Sequence, residues 1–256
     1  MNIIACFKVV PEEQDITIKP NREISFEKAP LAISAYDLNC IEAGIQLAEA
    51  HGASLIGVSV GAAKIDDSKL KKNVLSRGPE SIFMIADDQL DNLDTYQTAN
   101  ALKGLIAKIG DYGLILCGEG SADLYAQQVG PQLGQLLNLP TINSVSKLTL
   151  EGDKAIVERT LENEVENLEI ALPAVVSVTS DINLPRIPSM KQILAAGKKQ
   201  ATIWKAGDAG VGAVKGTIEV IETKAPEQTD RKQDIVQGDS DESIKEFVAK
   251  IREILK

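Results

Sequence analysis

Residues 118–134, GEGSADLYAQQVGPQLG, directly follow the apolar run LILC. Gly118 and Gly120 let a backbone approach a ligand closely, and Ser121 can cap a helix or bind phosphate. A helix starting behind Ser121 or Asp123 would bring its positive end to the same place. On that reading Gln127, Gln128 and the Gly130-Pro131 step lie within or just past its first turn. Nucleotide or phosphate binding is one reading of this loop. A capped helix whose loop is merely rich in small residues is the other. Neither GxGxxG nor GxxxxGKS/T occurs here, so the two common nucleotide fingerprints do not apply.

Other chemistry has less to work with. The one histidine, His51, precedes Gly52 at the end of an amphipathic stretch, where it reads as a solvated side chain near a helix C-terminus. A Ser-His-Asp triad would need this residue, and nothing near it resembles a nucleophile elbow. The three cysteines, Cys6, Cys40 and Cys117, are odd in number and far apart. They lack metal-ligand spacing and read as buried free thiols. No residue is assigned a catalytic role.

The elements that would hold the loop alternate. NIIACFKVV, ASLIGVSVG, SIFMIAD and YGLILCG are apolar runs of strand length. Between them lie helical patterns: SAYDLNCIEAGIQLAEAHG stopped by Gly52, DDSKLKKNVLSRGP, and DTYQTANALKGLIAKIGDYG from an Asp cap to Gly110. Strand and helix in alternation predict a mostly parallel sheet with helices on both faces. If the first, second and fourth strands are neighbours, Cys6-Phe7-Lys8, Val60-Gly61, residues 34–37 and the loop converge on one edge. After Pro140 a two-residue alternation predicts antiparallel strands added in the second half. NLPRIPSMKQILAAGKKQ reads as a Pro-bounded loop and a short helix. Residues 207–238 read as an extended arm, and SDESIKEFVAKIREIL as a capped amphipathic C-terminal helix. The domain reading is therefore 1–206 for an α/β domain, nucleotide-binding on the first reading of the loop, and 207–256 for an arm and helix.

A formal net charge of −10 argues against nucleic acid as a partner, because phosphate backbones are held by clustered Lys and Arg. No run reaches the length of a membrane span. The opening MNIIACFKVVPEEQD has too short an apolar part for a secretory leader, so a cytoplasmic location is expected.

Several ordered motifs resemble the beta subunit of electron-transfer flavoproteins, closest to its bacterial Fix-like branch. They are IIACFKVVP, AISAYDLNCIEAGIQL, VSVG, LSRGP, LILCGEGSADLYAQQVGPQLG, VERTLENEVENLEIALPAVVSV and NLPRIPSMKQILAAGKK. The resemblance runs from residue 1 to about 205. Its strongest part spans residues 157–177, with Arg159, Glu162, Glu164, Glu166, Leu168, Pro173 and Ser177 matching the family signature and Asn163 departing from it.

The resemblance implies an adenine-nucleotide alpha-hydrolase-like fold without hydrolase chemistry. It implies a heterodimer with an alpha subunit that holds most of an electron-carrying FAD. Electrons would pass between an acyl-CoA dehydrogenase-like donor and a quinone-oxidoreductase-like acceptor or another redox partner. This subunit's own pocket would hold AMP in ordinary members and a second FAD in electron-bifurcating ones. The cofactor-binding residues carried over are Cys6; Ser34, Ala35, Tyr36 and Asp37; and Val60. From the loop they are Gly118, Glu119, Gly120, Ser121, Ala122, Asp123, Leu124, Tyr125, Ala126, Gln127, Gln128 and Val129. Ordinary members have Asn-Pro where this chain has Ser34-Ala35, and AQQVGPQ leans towards the bifurcating type, so AMP and FAD both stay open. Met190 takes the place of the apolar anchor in the family's partner-recognition loop, while a core position in its helix is the other reading. An AMP- or ATP-binding regulatory module without a redox role would use the same pocket.

Overall fold

The computed structural model describes residues 1–212, 215–227 and 233–255. Among these, nine strands form one sheet: β1 (Asn2–Cys6), β2 (Ser54–Gly61), β3 (Ser81–Ala86), β4 (Leu114–Gly118), β5 (Thr141–Glu151), β6 (Lys154–Thr160), β7 (Val165–Ala171), β8 (Ala174–Val178) and β9 (Gln200–Trp204). Their spatial order is β7-β6-β5-β8-β4-β1-β2-β3-β9. The run from β5 to β9 is parallel throughout, and β6 and β7 extend it antiparallel at one edge. The helices are α1 (Ala35–His51), α2 (Ser68–Ser76), α3 (Thr95–Ile109), α4 (Val129–Leu137), α5 (Met190–Ala196) and α6 (Asp241–Ile254).

Continuous apolar strands reflect burial on both faces. Along β1, Ile3 and Ala5 join the core under α1 and α2. Ile4 and Cys6 join the core under α3 and α4. Leu105 and Ile106 of α3 are fully buried, so truncating either to Ala would cost about 2–5 kcal/mol. The predicted stops hold. Gly52, at φ 61°, ends α1 in the left-handed conformation that glycine adopts without strain. Asp94 opens α3 in a capping box with Gln97, and Gly110 closes it. His51 is exposed in the last turn of α1.

Three expectations are refined. The first apolar run is not one strand: β1 ends at Cys6, and Val9–Pro11 pairs with Leu31–Ile33 in a separate small sheet. The segment AVVSV is not antiparallel. It is β8, fully buried and inserted parallel between β4 and β5. Its unbroken apolar character, rather than alternation, is the mark of a central strand. The third is β9, a short edge strand parallel to β3 that the sequence pattern did not announce. Its Trp204 stacks near Phe83, with ring centroids 5.4 Å apart.

Of the expected arm, residues 213–214 and 228–232 lie outside the described residues, as does Lys256. Elsewhere the arm is tied to its own domain around Thr217 and around residues 224–225. Thr217 donates through its N–H to Asp94 at 2.6 Å, and the Ala225 N–H bonds Arg22 O at 2.9 Å beside the Thr17–Ile18 and Ile24–Ser25 hairpin. Helix α6 is capped by Ser240 and buries none of its residues, leaving Ile244, Phe247, Val248 and Ile251 exposed. No helix among the described residues is long and apolar enough to cross a membrane.

Candidate functional site

β1 lies between β2 and β4, so their carboxyl ends are adjacent, as the convergence of motifs required. The small sheet of Val9–Pro11 and Leu31–Ile33 turns the chain back to the same edge and starts α1 there. The Ser34 N–H donates to Lys8 O at 3.0 Å, and the Lys8 N–H donates to Asp37 Oδ2 at 2.7 Å. Asp37 is in the first turn of α1 and is buried. Burial pushes its carboxyl up to about 7, against the bonds from the Lys8 and Gly118 amides and the Lys8 charge that favour the carboxylate. Gly118, the last residue of β4, is where α1 crosses the sheet end. A Cβ there would stand 2.6 Å from Asp37 Oδ1 and 3.1 Å from the Tyr36 carbonyl group.

Residues 119–128 form an irregular loop, and α4 begins only at Val129, with Gln128 as its cap residue. The helix therefore starts later than a cap at Ser121 or Asp123 would place it, and Gln127 and Gln128 precede it. Two causes are visible. Tyr125 and Gln127 have φ of 45° and 57°, incompatible with a helix. Pro131 belongs to the first turn, where its missing N–H costs nothing; a helix from residue 123 would have put it in the interior. Pro131 is the sequence signal that could have located this start.

The loop is tied down at three points. Lys8 Nζ donates to Asp123 Oδ2 at 2.6 Å, to Oδ1 at 2.8 Å and to Ser121 Oγ at 3.4 Å. The Ala122 N–H donates to Ser34 Oγ at 3.3 Å. The Ser180 N–H, just beyond β8, donates to Glu119 Oε1 at 3.1 Å. Burial alone would raise the Asp123 carboxyl, but the Lys8 and Ser121 bonds outweigh it and hold it below the usual carboxylate range. Tyr125 folds back onto Tyr36, with centroids 5.0 Å apart. The space that Gly120 leaves is filled by the Tyr125 ring, 2.6 Å from where a Cβ would be.

The structure thus brings together Ser34, Ala35, Tyr36, Asp37 and residues 118–125. Leu124, Tyr125, Ala126, Gln127 and Gln128 are exposed, and Val129 is half-buried as the first residue of α4. Cys6 and Val60 contribute differently. The Cys6 thiol is buried in the core, and the adjoining Cys117 thiol together with burial pushes its pKa up. Val60 is half-buried against the same core. All three cysteines are free and buried. Lys8 is the residue that the sequence reading undervalued: it stood at the right edge, but only the fold shows its ammonium in the loop.

The donors at this edge suit an anionic oxygen group. Among the described residues, no protein group accepts from the backbone N–H of Gly120 or Ser121. The hydroxyl of Ser177, buried on β8 against Gly130 at the start of α4, has no hydrogen-bond partner. Lys8 supplies a cation. Donors, a helix N-terminus and one ammonium on a sheet's carboxyl edge can bind and orient an anion.

Met190 opens α5 behind a Ser189–Gln192 capping box and is 71% exposed, which excludes a core position. Leu184, Ile187 and Leu194 are exposed around it. The loop before it is anchored to α1. Asn39 Nδ2 donates to the carbonyls of Ser180 and Asn183 at 2.9 and 2.8 Å. Arg186 spans Glu42 and Glu49 with four side-chain bonds between 2.8 and 3.1 Å. Glu49 and Glu42 push the Arg186 guanidinium up.

A family model described as electron transfer flavoprotein domain matches residues 24–209. The match takes in the sheet from β2 to β9, the start of α1, the loop after β4 and the exposed segment before α5. The family brings with it association with a flavin and a heterodimeric partner subunit. By this match over most of its length, the chain belongs to the electron transfer flavoprotein domain family.

Proposed function

We propose that this chain is the beta-type subunit of a heterodimeric electron-transfer flavoprotein, of the Fix-like branch. Residues 1–206 form its nucleotide-binding domain, and the pocket after β1 and β4 holds AMP or a second FAD. The observation that carries this reading is the convergence of Ser34, Asp37, Lys8 and residues 118–123 on one sheet edge, with free amides and a cation in a chain of net charge −10. A flavin held chiefly by the alpha subunit supplies one- and two-electron transfer; this chain's residues bind, orient and shield. The exposed segment around Met190 docks an acyl-CoA dehydrogenase-type donor or a quinone-oxidoreductase-type acceptor. The apolar face of α6, uncovered on this chain, packs on the alpha subunit.

Co-expression with an alpha-type subunit tests the reading. The expected product is a yellow heterodimer that releases on denaturation either one flavin with AMP, or two flavins without AMP. The second result would place the protein in the bifurcating class. A colourless chain that binds AMP and needs no partner would instead favour a regulatory nucleotide module. Removal of residues 207–256 should weaken heterodimer formation, and full co-purification of the truncated chain would show that the arm serves only its own domain.

A further inference from the structure

We infer that Lys8 is the phosphate-binding cation of this pocket, and that the Asp123 carboxylate occupies its ammonium as a stand-in that the ligand's phosphate displaces. The inference rests on the nucleotide reading above and assigns a residue and an exchange within that site.

Among the described residues, Lys8 is the only Lys or Arg with a polar contact to the loop 119–128. Its backbone is fixed on both sides, donating to Asp37 and accepting from Ser34, so the ammonium has one region to sweep. That region contains Ser121 Oγ and both oxygens of Asp123. Two anionic oxygens at 2.6 and 2.8 Å from one ammonium are what a phosphate would also present. The Lys8 side chain is 43% exposed and that of Asp123 29% exposed. An ion pair this open to water contributes little to stability, so replacing it with a doubly charged phosphate costs little. Among the described residues, the other titratable groups that contact Lys8 or the loop and can carry charge are acidic: Glu119 on the loop, Asp123 itself, and Asp37 beneath, which is protonated up to about pH 7. A phosphate entering without Lys8 would meet the Gly120 and Ser121 amides but no cation to offset the Glu119 and Asp123 carboxylates. Ser121, already within reach of the ammonium, would stay in its coordination when Asp123 leaves.

The test compares AMP with adenosine, which lacks the phosphate, by calorimetry on the nucleotide-stripped full chain co-purified with its partner subunit. Wild type should bind AMP more tightly, and that preference should weaken with added salt. Lys8→Met should lower AMP affinity by about tenfold to a hundredfold and leave adenosine affinity within about twofold. Lys8→Arg should restore much of the preference. Asp123→Asn, which keeps the bond from the Leu124 amide, should raise AMP affinity severalfold without changing adenosine. An unchanged AMP-to-adenosine ratio in Lys8→Met overturns the assignment of Lys8 and leaves the nucleotide reading standing. An unchanged AMP affinity in Asp123→Asn overturns the exchange. Failure of wild type to bind either ligand overturns the nucleotide reading and this inference together.

Discussion

Two neighbouring loops leave the carboxyl edge of the sheet, and they are held in opposite ways. The loop after β4 (residues 119–128) is tied chiefly by one half-exposed ion pair, Lys8 to Asp123, and carries two residues at positive φ. The loop after β8 (residues 179–189) is held by a guanidinium fork into Glu42 and Glu49 and by two-way amide bonds between Asn39 and Asn183. Both are anchored on α1, the first at its N-terminus and the second along its flank, and they touch at Glu119 and Ser180. A single ion pair open to water is readily exchanged for a ligand; a bidentate fork with a buried acid at its base is not. The first loop is held loosely enough to exchange its partner, as the anion site proposed above requires, and the second holds the exposed Leu184, Ile187 and Met190 at a fixed place.

The largest test of this contrast concerns the foot of the first loop. Folded, Asp37 keeps its proton up to about 7; unfolded, it loses it near 4. Between those values the folded chain binds the extra proton. Its contribution to stability is therefore complete below about pH 4 and is lost as pH rises through about 7. The swing is of the order of 4 kcal/mol at most. Asp37→Asn should remove it, so urea unfolding should show the variant gaining on wild type from about pH 5 to about pH 8. A pH-independent difference would mean that Asp37 is ionised throughout.

Next comes the second loop's anchor. Arg186→Met strands Glu42, whose side chain is only 6% exposed, and should cost about 3 kcal/mol. Amides of residues 180–187 should exchange faster while nucleotide content holds. Equal loss of nucleotide would show that the two loops are not independent.

A smaller effect separates two glycines of the first loop. Gly118→Ala meets Asp37 and the Tyr36 backbone, which cannot step aside, and should cost about 2 kcal/mol with loss of nucleotide. Gly120→Ala meets first the Tyr125 ring, which can swing away, and should cost under about 1 kcal/mol. Equal melting temperatures would erase the distinction between the two positions.

The smallest change in stability belongs to Met190→Ala, within about 0.5 kcal/mol for an exposed side chain. Its expected effect is on docking: roughly thirtyfold weaker partner affinity and slower electron transfer. Unchanged transfer kinetics would remove Met190 from the docking surface.

Much of this was legible in local pattern. Apolar runs separated by capped helices implied the parallel sheet, and Gly52, Asp94, Gly110 and Ser240 marked helix ends where the structure has them. These signals are short-range, set by backbone hydrogen bonds that a few neighbouring residues satisfy or leave open. The small residues after the fourth strand marked a loop for the same reason, whether it binds a ligand or only leads into a helix. What local pattern could not supply was which strand sits beside which. AVVSV reads alike as a hairpin strand or a central one, and only packing on both faces decided for the centre. Whether Asp37 would be buried, and whether the Lys8 ammonium would cross 115 positions of sequence to reach Asp123, depended on strand order and on where α1 crosses the sheet. Composition and spacing determined a scaffold with a small-residue loop. The juxtaposition that gives the loop its charge came only from tertiary structure, because contacts between distant segments are chosen by burial of the whole sheet and leave no periodic trace in the residues that make them.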